Sequence, residues 1–291
     1  MGTAWALHTT GADLATVAGF DAHFVSDVPT GAGLSSSAAI ECALAIALAD
    51  HWDLDADRDA LARAAQLAEN EVVGAPTGIL DQSAALLAAT DAALFLDCRD
   101  GTHETVDLGF SAAGLTVVVV DTRVQHAHSD GGYADRRAAC EAGARALGAE
   151  LLREVGAEGL GRAADVLDDV IFRRVRHVVT EDQRVLDTVA TLRTDGPRAI
   201  GDLLVASHAS MRDDFEISVP ELDLAVETAL AVGAIGARMT GGGFGGSAIA
   251  VVDRDLVDDL TSAVEKAFDR AGFEEPAVFE VRPSRAAERE S

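Results

Sequence analysis

"VPTGAGLSSSAAIE", Val28 to Glu41, places two glycines ahead of three consecutive serines and then runs into an apolar stretch. A turn alone does not need Ser35, Ser36 and Ser37 together, because one polar side chain suffices to cap a helix. A glycine loop leading into a helix start leaves several backbone N–H groups without partners, and the helix dipole adds positive potential at the same place. Gly31 and Gly33 let the backbone approach a ligand with no Cβ in the way. Serine hydroxyls can donate to phosphate oxygens or bind a magnesium ion. The stretch reads as a nucleotide-phosphate cradle, although the same residues on their own would also serve as a glycine turn with a helix cap. The Gly-Lys-Ser/Thr ending of the Walker loop is absent, as is the Rossmann fingerprint.

On the N-terminal side, "GFDAHFVSDVP" (Gly19 to Pro29) alternates well enough to predict a strand. On the C-terminal side, Ser37 to about Trp52 is apolar on nearly every face, which predicts a buried helix. Asp57 to Val73 predicts an amphipathic helix, with Leu61, Ala64, Ala65, Ala68 and Val72 on its apolar face. "GAPTGILDQSAALLAA" gives a Gly/Pro turn and a further helix, and "AALFLDC" a strand. "GLTVVVVDT", Gly114 to Thr122, is a continuous β-branched run and predicts a central strand. Helices are expected through much of Tyr133 to Ala209, with breaks near Gly156 and at "TDGP", and again from Pro220 to Val232. "GARMTGGGFGGSAIAVV" joins a glycine loop to a strand, "LVDDLTSAVEKAFDRAG" is an amphipathic helix, and "AVFEVRP" a last strand. Mixed helices and strands without strict alternation, and without a repeat, favour α+β layers.

The chain has 291 residues, enough for two domains. Its formal charge of −26, with Lys266 the sole lysine, argues against nucleic acid or an anionic membrane as partner. No apolar run approaches a membrane span, and the first residues lack the basic start of a secretory signal, so a cytoplasmic location is expected. Cys42, Cys98 and Cys140 are odd in number and widely spaced, which predicts buried thiols in a reducing compartment. His126, His128 and His208 are not spaced as metal ligands and receive no chemistry.

The pattern P-x-x-x-G-L-S-S-S-A-A resembles the phosphate-binding motif of the GHMP small-molecule kinases, and "GARMTGGGFGGSAIA", Gly236 to Ala250, is similar to the third motif of the same family. Within the family, "AENEVVGAPTGILDQ", "DGGYADRR" and "SHASMRDDFEISVPELD" are similar to stretches of its galactokinase branch. The resemblance implies an α+β GHMP-kinase fold of two α/β-layer domains with mixed or antiparallel sheets and an active site in the cleft between them. Residues 1–112 would form the remainder of a truncated N-terminal, ATP-binding domain and 113–291 the C-terminal domain. It also implies transfer of the ATP γ-phosphoryl, with Mg2+, to the anomeric hydroxyl of galactose; a monomer or weak dimer is expected.

Carried onto this sequence, the resemblance makes Gly31, Ala32, Gly33, Leu34, Ser35, Ser36 and Ser37 the phosphate cradle. Ser37 and Glu69 become metal ligands, since Mg2+ favours a carboxylate, a hydroxyl and phosphate oxygens. Asp81 becomes the base that accepts the sugar hydroxyl proton, and Tyr133, the chain's one tyrosine, a hydrogen-bond partner of the sugar. Read alone, Glu69 would be a solvated helix glutamate, Asp81 a helix cap and Tyr133 an idle loop side chain. The family's N-terminal motif, Gly-Arg-x-Asn-x-x-Gly-Glu-His-x-Asp-Tyr, is not among the residues before Val28. The expectation is weak turnover, restored by an upstream segment, with exposed apolar sheet surface in the first domain. An ATP- or sugar-binding sensor, an inactive paralogue and a kinase of another GHMP type stay open as alternatives.

Overall fold

The computed structural model describes residues 1–290 apart from 11–12, 15–16, 18 and 125–128, and only the backbone of 129–131. His126 and His128 lie outside the described residues. Contacts divide the chain into two units, one of Met1–Thr30, Ser35–Val106 and Pro283–Ser291, the other of Gly31–Leu34 and Asp107–Arg282. This division differs from a boundary after residue 112. Phe110 is buried in one cluster with Leu115, Ile200 and Val251, so the second unit's packing begins before its first strand. At the other end, backbone bonds from Ala286 to Ala88 and from Ala287 to Ala85 tie the last residues to the first unit.

The first unit holds α1 (Gly2–Thr9), α2 (Ser36–His51), α3 (Arg58–Ala68) and α4 (Leu80–Leu87), followed by a two-stranded sheet of β1 (Ala92–Leu96) and β2 (His103–Asp107). Its core is rich in alanine: Ala45, Ala64 and Ala65 are wholly buried among Leu48, Leu61 and Leu86. Small side chains let the helices approach closely while the leucines supply most of the apolar area. Asp57 caps α3 by accepting the Ala60 N–H at 2.7 Å.

Three expectations need correction here. Gly19 to Pro29 forms no strand. Alternation alone supplies no hydrogen-bonding neighbour, and residues 19–27 lie exposed, with Phe20 set edge-on to Trp52 at 5.7 Å. The helix expected to run to Val73 is α-helical only to Ala68. It widens into a π-helical turn over Glu69–Val73 that ends at left-handed Gly74, leaving Val72 exposed. Of the three cysteines only Cys42 is buried. Cys140 is intermediate, and Cys98 is exposed in the turn between β1 and β2.

The second unit is built on an antiparallel sheet in the order β4 (Gly236–Met239), β5 (Ser247–Asp253), β3 (Leu115–Asp121), β6 (Ala277–Val281). Its helices are α5 (Ser129–Leu147), α6 (Leu160–Val166), α7 (Asp169–Thr194), α8 (Gly201–Ser210), α9 (Pro220–Val232) and α10 (Val257–Ala271). The valine run of β3 is covered on both faces. Val118 and Val120 join Leu222, Val226, Leu260 and Phe268 of α9 and α10, while Leu115 and Val117 meet Phe110 and Ile200. That double burial is why the run does not alternate. Pro220 opens α9, and Gly233 and Gly272, both left-handed, close α9 and α10. No helix of the described residues is long and apolar enough to cross a membrane.

Candidate active site

The first glycine stretch has the backbone its composition suggests. Gly31, Gly33 and Ser35 take positive φ (78°, 69° and 57°), whereas Ala32 and Leu34 between them do not. Positive φ at 31 and 33 is a conformation that glycine takes without the Cβ penalty. The chain then enters α2, a 16-residue helix whose N-cap, Ser35, makes no side-chain capping bond.

Ser37 and Glu69, 32 residues apart, are brought together within the first unit. The Ser37 hydroxyl donates to Glu69 Oε1 at 2.7 Å. Its lone pairs stay available to a cation. Glu69 is buried, and its other oxygen accepts from Thr77 Oγ1 at 3.2 Å and from Gln82 Nε2 at 2.6 Å. The chain departs from the regular α-helix at this carboxylate, in the π-helical turn that begins at Glu69. Among the described residues no three His, Cys, Asp or Glu side chains gather around one metal position. A cation at Glu69 would draw on one carboxylate, a hydroxyl and a substrate's oxygens, a donor set that fits Mg2+.

Asp81 is exposed at the second residue of α4, next to fully buried Gln82. Cys42 reports its surroundings: burial pushes this thiol up to about 12, aided by the negative charges of Glu41, Glu69 and Asp81. The expected metal ligand and the expected base are thus near enough to one thiol for both charges to be felt there.

Glu41 was not singled out in the sequence, and Gln82 only as part of a motif. Burial, with the nearby Glu69 charge, raises the Glu41 carboxyl to about 7, and Gln82 Nε2 lies 3.4 Å from it. A proton held more tightly in the folded state favours folding fully below the ordinary value of 4.5, and this contribution is lost as pH rises through 7. Relaxation of the surroundings relieves part of the cost of charging the group, leaving on the order of 1–2 kcal/mol. Glu41→Gln is therefore expected to raise the melting temperature by roughly 3–6 °C at pH 8.5 and to change it little at pH 5. Thermal melts in a metal chelator at the two pH values check this.

Within the second unit the third-motif loop lies against Ala32 and Gly33 of the glycine stretch. Ser247 Oγ donates to Ala32 O at 2.7 Å, and a Cβ on Gly241 would come within 2.9 Å of Gly33 O. Gly245, at φ 135°, leaves no room at all: a Cβ would stand 2.5 Å from the Val124 carbonyl oxygen. Gly245→Ala is expected to destabilise by more than ~2 kcal/mol. Gly31→Ala, whose Cβ would meet nothing, carries only the left-handed penalty of about 1 kcal/mol. Urea midpoints of the two variants measure the difference. Tyr133 is exposed on the first turns of α5, with its Cδ2 3.8 Å from where a Gly242 Cβ would sit.

His208 has a structural place: Nδ1 accepts the Met239 N–H at 3.2 Å, so Nε2 carries the proton and donates to Asp223 at 3.1 Å.

Two family descriptions match the chain, GHMP kinases N terminal domain over residues 1–89 and GHMP kinases C terminal over residues 189–270. A galactokinase of Streptomyces coelicolor is 53% identical over 290 residues, which are 99% of this chain and 74% of the relative. The chain belongs to the galactokinase family. A Mycobacterium tuberculosis galactokinase is 45% identical over 95% of this chain and 78% of its own length. Among solved structures, the Lactococcus lactis galactokinase complexed with galactose superimposes with a TM-score of 0.86 at 31% identity, covering 90% of this chain and 68% of that one. The mevalonate kinase of L. major shares the fold at a TM-score of 0.54 and 20% identity, over 87% of this chain and 66% of that one. The galactokinase family thus joins the two motifs on this chain to a GHMP-kinase fold, and its members are sugar kinases.

Proposed function

We propose that the protein transfers the γ-phosphoryl of ATP to the anomeric hydroxyl of galactose, giving galactose 1-phosphate. The observation that carries this reading is the Ser37–Glu69 hydrogen bond at 2.7 Å, because it joins the serine loop to a buried carboxylate in a donor set suited to Mg2+ and phosphate. The galactose in the L. lactis structure supports the choice of acceptor.

In phosphoryl transfer the protein mainly positions the groups and balances charge. Backbone N–H groups of Gly31 to Leu34 and the hydroxyls of Ser35 to Ser37 would cradle the phosphates, and the dipole of α2 favours their charge. Mg2+, when bound through Ser37 and Glu69, would neutralise charge building on the transferred group. Thr77 and Gln82 hold the Glu69 carboxylate in one orientation throughout. Asp81 would take the proton from the sugar hydroxyl as the new phosphorus–oxygen bond forms. Tyr133 would hydrogen-bond the sugar. An acid-rich surface of formal charge −26 repels ATP at long range, so local N–H groups and the cation must supply the attraction.

The test is a turnover assay with ATP, Mg2+ and galactose, alongside mevalonate and homoserine. Galactose 1-phosphate as the product supports the reading. Phosphorylation of another alcohol instead would reassign the acceptor, and nucleotide binding with no product from any of them would make the protein a sensor.

A further inference from the structure

The third-motif loop contains one bulky residue among five glycines, Phe244. It is held in a costly backbone conformation, φ 62°, that side-chain-bearing residues rarely adopt, and its N–H donates to the Ile217 carbonyl at 2.7 Å. One side of the ring packs on the second unit's main core. Its far end meets the turn that opens α5: a Cβ on Gly132 would stand 2.7 Å from Phe244 Cζ. The Arg136 guanidinium sits 5.6 Å from the ring centroid and also donates to the carbonyls of Phe215 and Glu216. Tyr133 follows Gly132 directly and lies beside Gly242, two residues before Phe244.

We propose that Phe244 is a positioning residue for Tyr133: its ring, wedged between the core and Gly132, fixes the turn that carries the tyrosine. A glycine is required at 132 because any side chain would displace the ring. The same loop presses on Ala32 and Gly33, so the strut joins the sugar-side tyrosine to the phosphate-side loop through one stretch of backbone. The part of this inference that concerns sugar rests on Tyr133 contacting galactose; the placement of Tyr133 does not.

Because the chain has a single tyrosine, 3-fluorotyrosine labelling gives one 19F resonance, which reports Tyr133 without any substrate. Phe244→Leu keeps an apolar side chain but shortens the strut, and Gly132→Ala pushes on it from the other end. Both are expected to shift or broaden the resonance. Phe244→Leu is also expected to raise the KM for galactose roughly tenfold, the worth of about one hydrogen bond, with the KM for ATP changed less than about threefold. In a Tyr133→Phe background the same substitution should add nothing further. Superimposable resonances in both variants would overturn the proposal, as would equal losses for galactose and ATP or an undiminished effect in the double variant. A moved resonance in a protein that does not use galactose would leave the positioning role standing and remove the substrate assignment instead.

Discussion

Asp81→Asn is expected to reduce galactose phosphorylation by roughly 10²- to 10⁴-fold, the usual worth of a positioned general base, while galactose binding changes by less than about threefold. Asparagine matches aspartate in volume, so the start of α4 and the packing of Gln82 behind it should survive the change. What is lost is the ability to accept a proton. The exposed carboxylate at position 81 can be reached by a substrate hydroxyl, while the buried carboxylates of Glu41 and Glu69 are enclosed by protein donors. Steady-state turnover with a coupled ADP assay, paired with calorimetric titration of galactose, separates the two quantities. A variant as active as the parent would remove Asp81 from the role of base. Parallel loss of binding and turnover would make it a binding residue.

Glu69→Gln is expected to act through the cation. Removal of an outer-shell partner alone commonly costs about 10- to 100-fold in metal affinity or activity, and loss of the carboxylate itself should cost at least that. The substitution also sets an amide where Gln82 Nε2 and the Ser37 and Thr77 hydroxyls now donate, so at least one of those donors loses its acceptor. Two measurements keep these effects apart. Mn2+ titration followed by electron paramagnetic resonance, with a non-hydrolysable ATP analogue present, reads the cation site. A thermal melt without metal reads the fold. Weaker Mn2+ binding in a protein that melts within a few degrees of the parent is the expected pattern. Unchanged Mn2+ binding would mean that Glu69 serves only the packing of α3 and α4.

The residues whose roles could be read from the chain are those whose signal is local. Glycines at 31 and 33 take the positive φ that their lack of a Cβ permits, and the serines after them begin a helix. The valine run of β3 and the Pro220-to-Gly233 helix follow from period, β-branching and the chemistry of helix ends. Gly19 to Pro29 shows the limit. Its alternation is real, but a strand exists only beside another strand, and no stretch of sequence contains its own partner.

The same limit governs the site. Ser37 and Glu69 were each identifiable by motif, whereas the hydrogen bond between them, the buried Gln82 behind Glu69 and the shifted Glu41 arise only when α2, α3 and α4 pack together. Desolvation and charge proximity depend on distances through space, which residue order does not encode. Phe244 is a similar case: within its motif it is an apolar residue in a flexible-looking loop, and only the approach of Gly132 makes its ring a strut. Sequence alone determined which backbone could take positive φ and which side chains carry oxygens beside it. Tertiary structure decided which oxygens are buried, which are shared and which face outward, because those properties belong to pairs of surfaces rather than to any one segment.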